Sequence, residues 1–108
     1  MSRACTQGAG GAPAPAARPA EAALFKALGD EKRLRMLDMV AASPGICACS
    51  LLEEFEMSQS TLSHHMSLLK AAGLVSCEKR GKWCHYTLRA EGFEAVGRYA
   101  TQMADSES

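Results

Sequence analysis

The chain has 108 residues, 47% of them hydrophobic, with 12 basic and 12 acidic side chains. That length holds one packed domain and leaves no room for a large catalytic cleft beside a separate regulatory domain. No segment approaches the ~20 apolar residues that span a bilayer, and no basic region followed by an apolar run marks a secretory signal. A cytoplasmic protein with no membrane partner is therefore expected.

Residues 1–20 are rich in Ala, Gly and Pro, lack a hydrophobic period, and are expected to form a flexible tail. Cys5 is the residue there with distinctive chemistry. A domain over residues 21–104 follows, and residues 105–108 are expected to be disordered. Leu24, Phe25 and Leu28 sit at helical spacing, and Gly29 ends that helix. Asp30 is placed to cap a second helix, because its carboxylate accepts from the unpaired N–H groups of a helix start. Leu34, Leu37 and Val40 give this helix an apolar face, and Ser43-Pro44-Gly45 stops it.

Ile46 to Glu56 reads as a short helix with Cys47 and Cys49 in its first turn and Leu51, Leu52 and Phe55 on its buried side. After a break at Met57 and Ser58, with Ser58 or Ser60 as cap, a helix runs to about Ala72. Leu62, Met66 and Leu69 form its core-facing stripe, and Gly73 is its stop. From Leu74 to Leu88 the period changes to two. Val75, Cys77 and Lys79 alternate with Ser76, Glu78 and Arg80; Trp83, His85 and Thr87 alternate with Cys84, Tyr86 and Leu88. Gly81-Lys82 between them makes a hairpin. A last helix, Ala90 to Met103, carries Phe93, Val96, Tyr99, Ala100 and Met103 on one side. The expected fold is mainly α with a small β-hairpin, in the order of a winged helix-turn-helix.

Zero net charge argues against nucleic acid, but the charge is not spread evenly. Residues 58–89 hold Lys70, Lys79, Arg80, Lys82 and Arg89 against Glu78 alone, between two acidic stretches. A basic band of this kind is either a DNA-facing surface or an ordinary solvated face. In a winged helix-turn-helix the second helix offers its N-terminal side chains to the major groove. Here these are Ser58, Gln59, Ser60, Thr61, Ser63, His64 and His65, short donors and acceptors suited to base edges and phosphates. Gln bonds adenine at two points, while Ser and Thr are less selective. Lys79, Arg80 and Lys82 crowd the hairpin tip, where they would meet phosphates or the minor groove. Trp83 and Tyr86 read as packing anchors, since single-strand readers expose several aromatics on a platform.

Three stretches together resemble the ArsR/SmtB metalloregulatory repressors over about residues 22–103. They are Ala27-Leu28-Gly29-Asp30-Glu31-Lys32-Arg33-Leu34-Arg35, Ser58-Gln59-Ser60-Thr61-Leu62-Ser63-His64-His65-Met66-Ser67-Leu68-Leu69-Lys70, and Gly73-Leu74-Val75. Gly81-Lys82-Trp83-Cys84-His85-Tyr86 resembles the wing. The resemblance implies a homodimer joined through its first and last helices, bound to palindromic operator DNA and released by a metal or metalloid. Ile46-Cys47-Ala48-Cys49-Ser50-Leu51-Leu52 resembles the opening of the arsenic-sensing helix, which implies As(III) or Sb(III) as inducer, with Cd(II) and Pb(II) as further candidates. Thiolates suit such soft ions. The family's best-known third thiolate falls where this chain has Leu52; Cys5, from a long tail, is one candidate third ligand, and the other subunit is another source.

Five cysteines are many for this length, and their odd number in a reducing compartment speaks against a disulfide framework. Residues i and i+2 of a helix point about 200° apart, so Cys47 and Cys49 grip one ion only if their turn distorts. The sequence leaves several readings open. The two thiols are a metalloid site or two small buried hydrophobes. A redox-sensing repressor would use Cys47 with Cys49, or Cys77 with Cys84, as a disulfide. A small thiol metal carrier would need neither reading helix nor wing. The last helix has no His for a zinc site, and His64, His65 and His85 are too scattered for one. No nucleophile–base pair or phosphate-binding glycine loop suggests an enzyme, and no permanently bound cofactor is expected.

Overall fold

The computed structural model describes residues 15–106. Its elements are α1 (Pro19–Leu28), α2 (Glu31–Ala42), β1 (Ile46–Cys47), α3 (Ala48–Glu54), α4 (Gln59–Ala71), β2 (Val75–Arg80), β3 (Trp83–Leu88) and α5 (Ala90–Asp105). A sheet in the order β1-β3-β2 makes this a winged helix-turn-helix. The core gathers Met36 and Val40 of α2, Leu51 of α3, Leu62, Met66 and Leu69 of α4, and Leu74 and Val75 at the start of the hairpin, all fully buried.

Local chemistry sets several of these boundaries. Pro19 opens α1, where its missing N–H would have had no helical partner; the helix thus begins two residues inside the segment expected to be tail. Asp30 caps α2 through the Lys32 N–H at 2.8 Å. Gly73 ends α4 at φ 77°, with its N–H donating to the Lys70 carbonyl and that of Leu74 to the Leu69 carbonyl, both at 3.0 Å. These two bonds close a Schellman motif and use carbonyls the helix end leaves free. α5 runs to Asp105, past the Met103 limit and into the end expected to be disordered.

Two differences from the sequence reading matter for the site. Ile46 and Cys47 are not helical. Gly45 turns the chain at φ 81° and donates its N–H to the Tyr86 carbonyl at 2.8 Å, which lays Ile46 and Cys47 antiparallel to Tyr86 and His85. The hairpin therefore becomes a three-stranded sheet, and β3 lies at its centre. The second difference is in α2. Its buried side is Arg33, Met36, Leu37 and Val40, while Leu34 is 46% exposed.

Candidate nucleic-acid interface and thiol site

Arg33 is the one buried charged residue among those described, and burying a charge is costly unless every donor finds a partner. Its Nε donates to the Ala27 carbonyl at 2.7 Å and its Nη2 to the Lys26 carbonyl at 3.1 Å. Both acceptors are end carbonyls of α1, which have no N–H within the helix to accept from; that of Lys26 also takes the Gly29 N–H at 3.3 Å. Its Nη1 donates to His65 Nδ1 at 2.9 Å and lies 3.4 Å from Asp30 Oδ2. Arg33 thus ties α1, the α2 cap and α4 together. Sequence reasoning missed it, because a Lys-Arg pair in a polar helix start carries no sign of which residue turns inward.

The polar flank of α4 divides at His65. Gln59, Ser60, Thr61, Ser63 and His64 are exposed, whereas His65 is half-buried and turned toward α2. Burial, and then the Arg33 guanidinium, hold the His65 imidazole below its ordinary value of 6.5. Ser58 stands at the helix start and is engaged in capping: its Oγ accepts from the Thr61 N–H at 3.1 Å and donates to Thr61 Oγ1 at 2.9 Å. Leu62, Met66 and Leu69 on the opposite side are buried, which fixes the rotation of α4 and turns the short polar side chains outward. Lys79, Arg80 and Lys82 are all exposed at the hairpin tip. Gly81 makes the turn there at φ 63°. Arg80 is partly neutralised by Glu78 at 2.9 Å, so Lys79 and Lys82 are the less encumbered charges of the wing. Tyr86 is buried in the core, and Trp83 packs against that core at half exposure.

Cys47 is the N-cap of α3, in extended backbone, and its Sγ accepts from the Cys49 N–H at 3.2 Å. Because it precedes the helix, the helical angle that would separate its side chain from that of Cys49 does not apply. The two sulfurs meet on one side, and the structure pairs them as a disulfide with Cα atoms 5.1 Å apart. The bridge encloses one residue and staples no distant segments. In reduced form the same backbone places two thiols on one side of the helix start, within reach of one soft ion. The partner strand adds a link: Cys47 lies opposite His85 of β3, whose Nδ1–H donates to the Gly45 carbonyl at 3.1 Å. Among the described residues no group of three or more His, Cys, Asp or Glu is placed to hold a metal ion, and Cys5 lies outside the described residues. Cys77 and Cys84 are free, half-buried thiols on the hairpin.

The sequence profile described as "Bacterial regulatory protein, arsR family" matches residues 30–76. An uncharacterized HTH-type transcriptional regulator of Methanocaldococcus jannaschii is 42% identical over 65 residues, covering 60% of this chain and 73% of the relative. The arsenical resistance operon repressor of Bacillus subtilis is 42% identical over 67 residues, and there the chain covers 64% of the relative and the match 62% of the chain. Among solved structures, an ArsR family transcriptional regulator superposes with a TM-score of 0.75 at 26% identity, over 87% of this chain and 98% of that one. A homodimeric winged helix-turn-helix DNA-binding domain from Mycobacterium bovis gives 0.59 at 27% identity, over 82% and 80%. No helix among the described residues is long and apolar enough to cross a membrane.

Proposed function

The chain belongs to the ArsR family of bacterial regulatory proteins, and on that premise we propose that it is a cytoplasmic, homodimeric repressor that releases operator DNA when trivalent arsenic or antimony binds its thiols. Gln59, Ser60, Thr61, Ser63 and His64 of α4 read the major groove. Ser58 presents the helix start to a phosphate, and Lys79, Arg80 and Lys82 hold the flanking backbone. His65 acts from behind, holding α4 against Arg33. Cys47 and Cys49 supply two sulfurs to the inducer, and Cys5 of the tail supplies the third. The protein catalyses no reaction in this role.

The observation that carries the reading is the position of the thiol pair. Cys47 sits in the strand bonded to β3 and caps the helix before α4. An ion that takes the Cys47 sulfur removes it from the Cys49 N–H and loosens the α3 cap. It also loads the strand whose neighbour is the wing. A coupling of about 1–3 kcal/mol between the two sites changes operator affinity roughly 5- to 150-fold.

The paired sulfurs support a second reading, a redox-sensing repressor in which oxidation to the Cys47–Cys49 disulfide replaces the ion as signal. One experiment separates them. Purified reduced protein is bound to a duplex recovered by selection from genomic fragments, then titrated with arsenite, antimonite, cadmium, lead and peroxide while fluorescence anisotropy is followed. Release by arsenite, lost in Cys47→Ser and Cys49→Ser and weakened in Cys5→Ser, is the expected result. Release by peroxide alone selects the redox reading, and no sequence-specific binding at modest salt defeats both.

A further inference from the structure

The hairpin carries two thiols that the proposed α3 site does not use. Cys77 of β2 lies opposite Tyr86, and Cys84 of β3 lies opposite Lys79. The two cysteines are therefore diagonal neighbours on one face of the antiparallel pair, within reach of each other. That face looks onto α4. Between them lies a cavity of about 210 Å³ bounded by Ser63, Met66, Ser67 and Lys70 of α4 and by Cys77 and Cys84. Both sulfurs are free and half-buried, and both line that one cavity.

We propose that Cys77 and Cys84 form a second thiol site, a two-sulfur clamp beneath the wing that takes a monosubstituted trivalent arsenical. The argument is one of valence and shape. Such an arsenical has two exchangeable bonds and one fixed carbon substituent, so two thiols satisfy it fully. Inorganic arsenite has three exchangeable bonds, and no third thiol or other cluster-forming ligand stands near among the described residues. Sulfurs at diagonal positions of one sheet face, lining one cavity, suit a pyramidal centre whose bonds lie on one side. Soft sulfur suits soft arsenic, and the cavity flanked by Met66 gives the carbon substituent an apolar seat.

The step is a ligand exchange that leaves arsenic trivalent. Two arsenic–oxygen bonds break and two arsenic–sulfur bonds form. Each thiol proton leaves with a hydroxide as water, and no electrons move. Burial raises the Cys77 thiol above its ordinary value, so the proton leaves with the departing hydroxide as the arsenic–sulfur bond forms. The consequence for DNA rests on the proposed function: the clamp lies between α4 and the wing, so an occupant sets their spacing directly.

The test uses the full chain with Cys5→Ser, Cys47→Ser and Cys49→Ser, which leaves the wing untouched. Phenylarsine oxide is the probe, with intact-mass spectrometry, thiol titration and the emission of Trp83, the sole tryptophan and the neighbour of Cys84, as readouts. One phenylarsenic per chain, loss of both titratable thiols and a changed Trp83 emission are expected. Adding Cys77→Ala or Cys84→Ser, with folding checked by circular dichroism, weakens binding by about 100-fold or more, because the second bond is no longer intramolecular. Absence of the adduct, or an adduct that leaves a thiol titratable, overturns the clamp. The stoichiometry needs no DNA, so a chain that forms the clamp but binds no duplex in its arsenic-free form sinks the proposed function and not this site.

Discussion

At the scale of single residues, two buried contacts hold α4 in place. Gly92 is the one buried residue of α5. Its N–H donates to the Gly73 carbonyl at 3.0 Å, and a Cβ there would stand 2.7 Å from that carbonyl oxygen and 2.8 Å from Leu74 Cδ2. Gly92→Ala must part the two backbones, and we expect urea denaturation to show a loss of about 1–3 kcal/mol, the usual range for overpacking. The second contact is Arg33 with His65. A histidine whose folded value lies below 6.5 binds fewer protons folded than unfolded. Its contribution is whole above the unfolded value and falls as pH drops through that value toward the folded one. Denaturation midpoints should therefore decline below pH 6.5, and His65→Gln should flatten that decline. Loss at still lower pH belongs to Asp30, held below its ordinary 3.8 chiefly by the Lys32 N–H.

At the scale of elements, the proposed function divides the labour of the wing and α4 between charge and pattern. Lys79 and Lys82 stand exposed at the tip while Arg80 is the wing cation bound to Glu78, so Lys79→Ala and Lys82→Ala should weaken binding to all duplexes alike. Each substitution should lower the salt slope by about 1, the share of a single phosphate. Gln59→Ala should instead relax preference at one base pair, by roughly 1–3 kcal/mol. The stripe Leu62, Met66 and Leu69 made α4 legible from spacing alone, and the period-two alternation did the same for β2 and β3. β1 was not legible, because two residues are too few for a period, and what makes them a strand is pairing with Tyr86 and His85, far along the chain. The i, i+2 reasoning at Cys47 and Cys49 failed for the same reason: it assumed a helix one residue before the helix begins. Arg33 and Leu34 exchanged roles against their polarity, since the carbonyls that draw Arg33 inward are within its reach only once α1 and α2 have docked.

At the scale of the whole molecule, the remaining apolar surface sits on the first two helices and the last. Phe25 is 42% and Met103 48% exposed, and Phe25 meets Tyr99 edge-on with ring centroids 5.4 Å apart, so α1 and α5 together present an aromatic and aliphatic face. Burial of that face against a second copy is the basis of the proposed dimer. Tyr99→Glu should shift sedimentation toward monomer and abolish operator binding at concentrations where the parent protein is saturated. The contact between Gly73 and Gly92 then acquires a geometric meaning. It joins the end of α4 to the start of α5 through main chain alone, with no side chain between them to swing or repack. In a dimer built on α5 the pair would serve as a fixed gauge, holding the two α4 helices at one separation. Moving the operator half-sites apart by a single base pair, about 3.4 Å along the duplex, would then be punished almost in full, because the slack that side chains normally lend to such a joint has been removed.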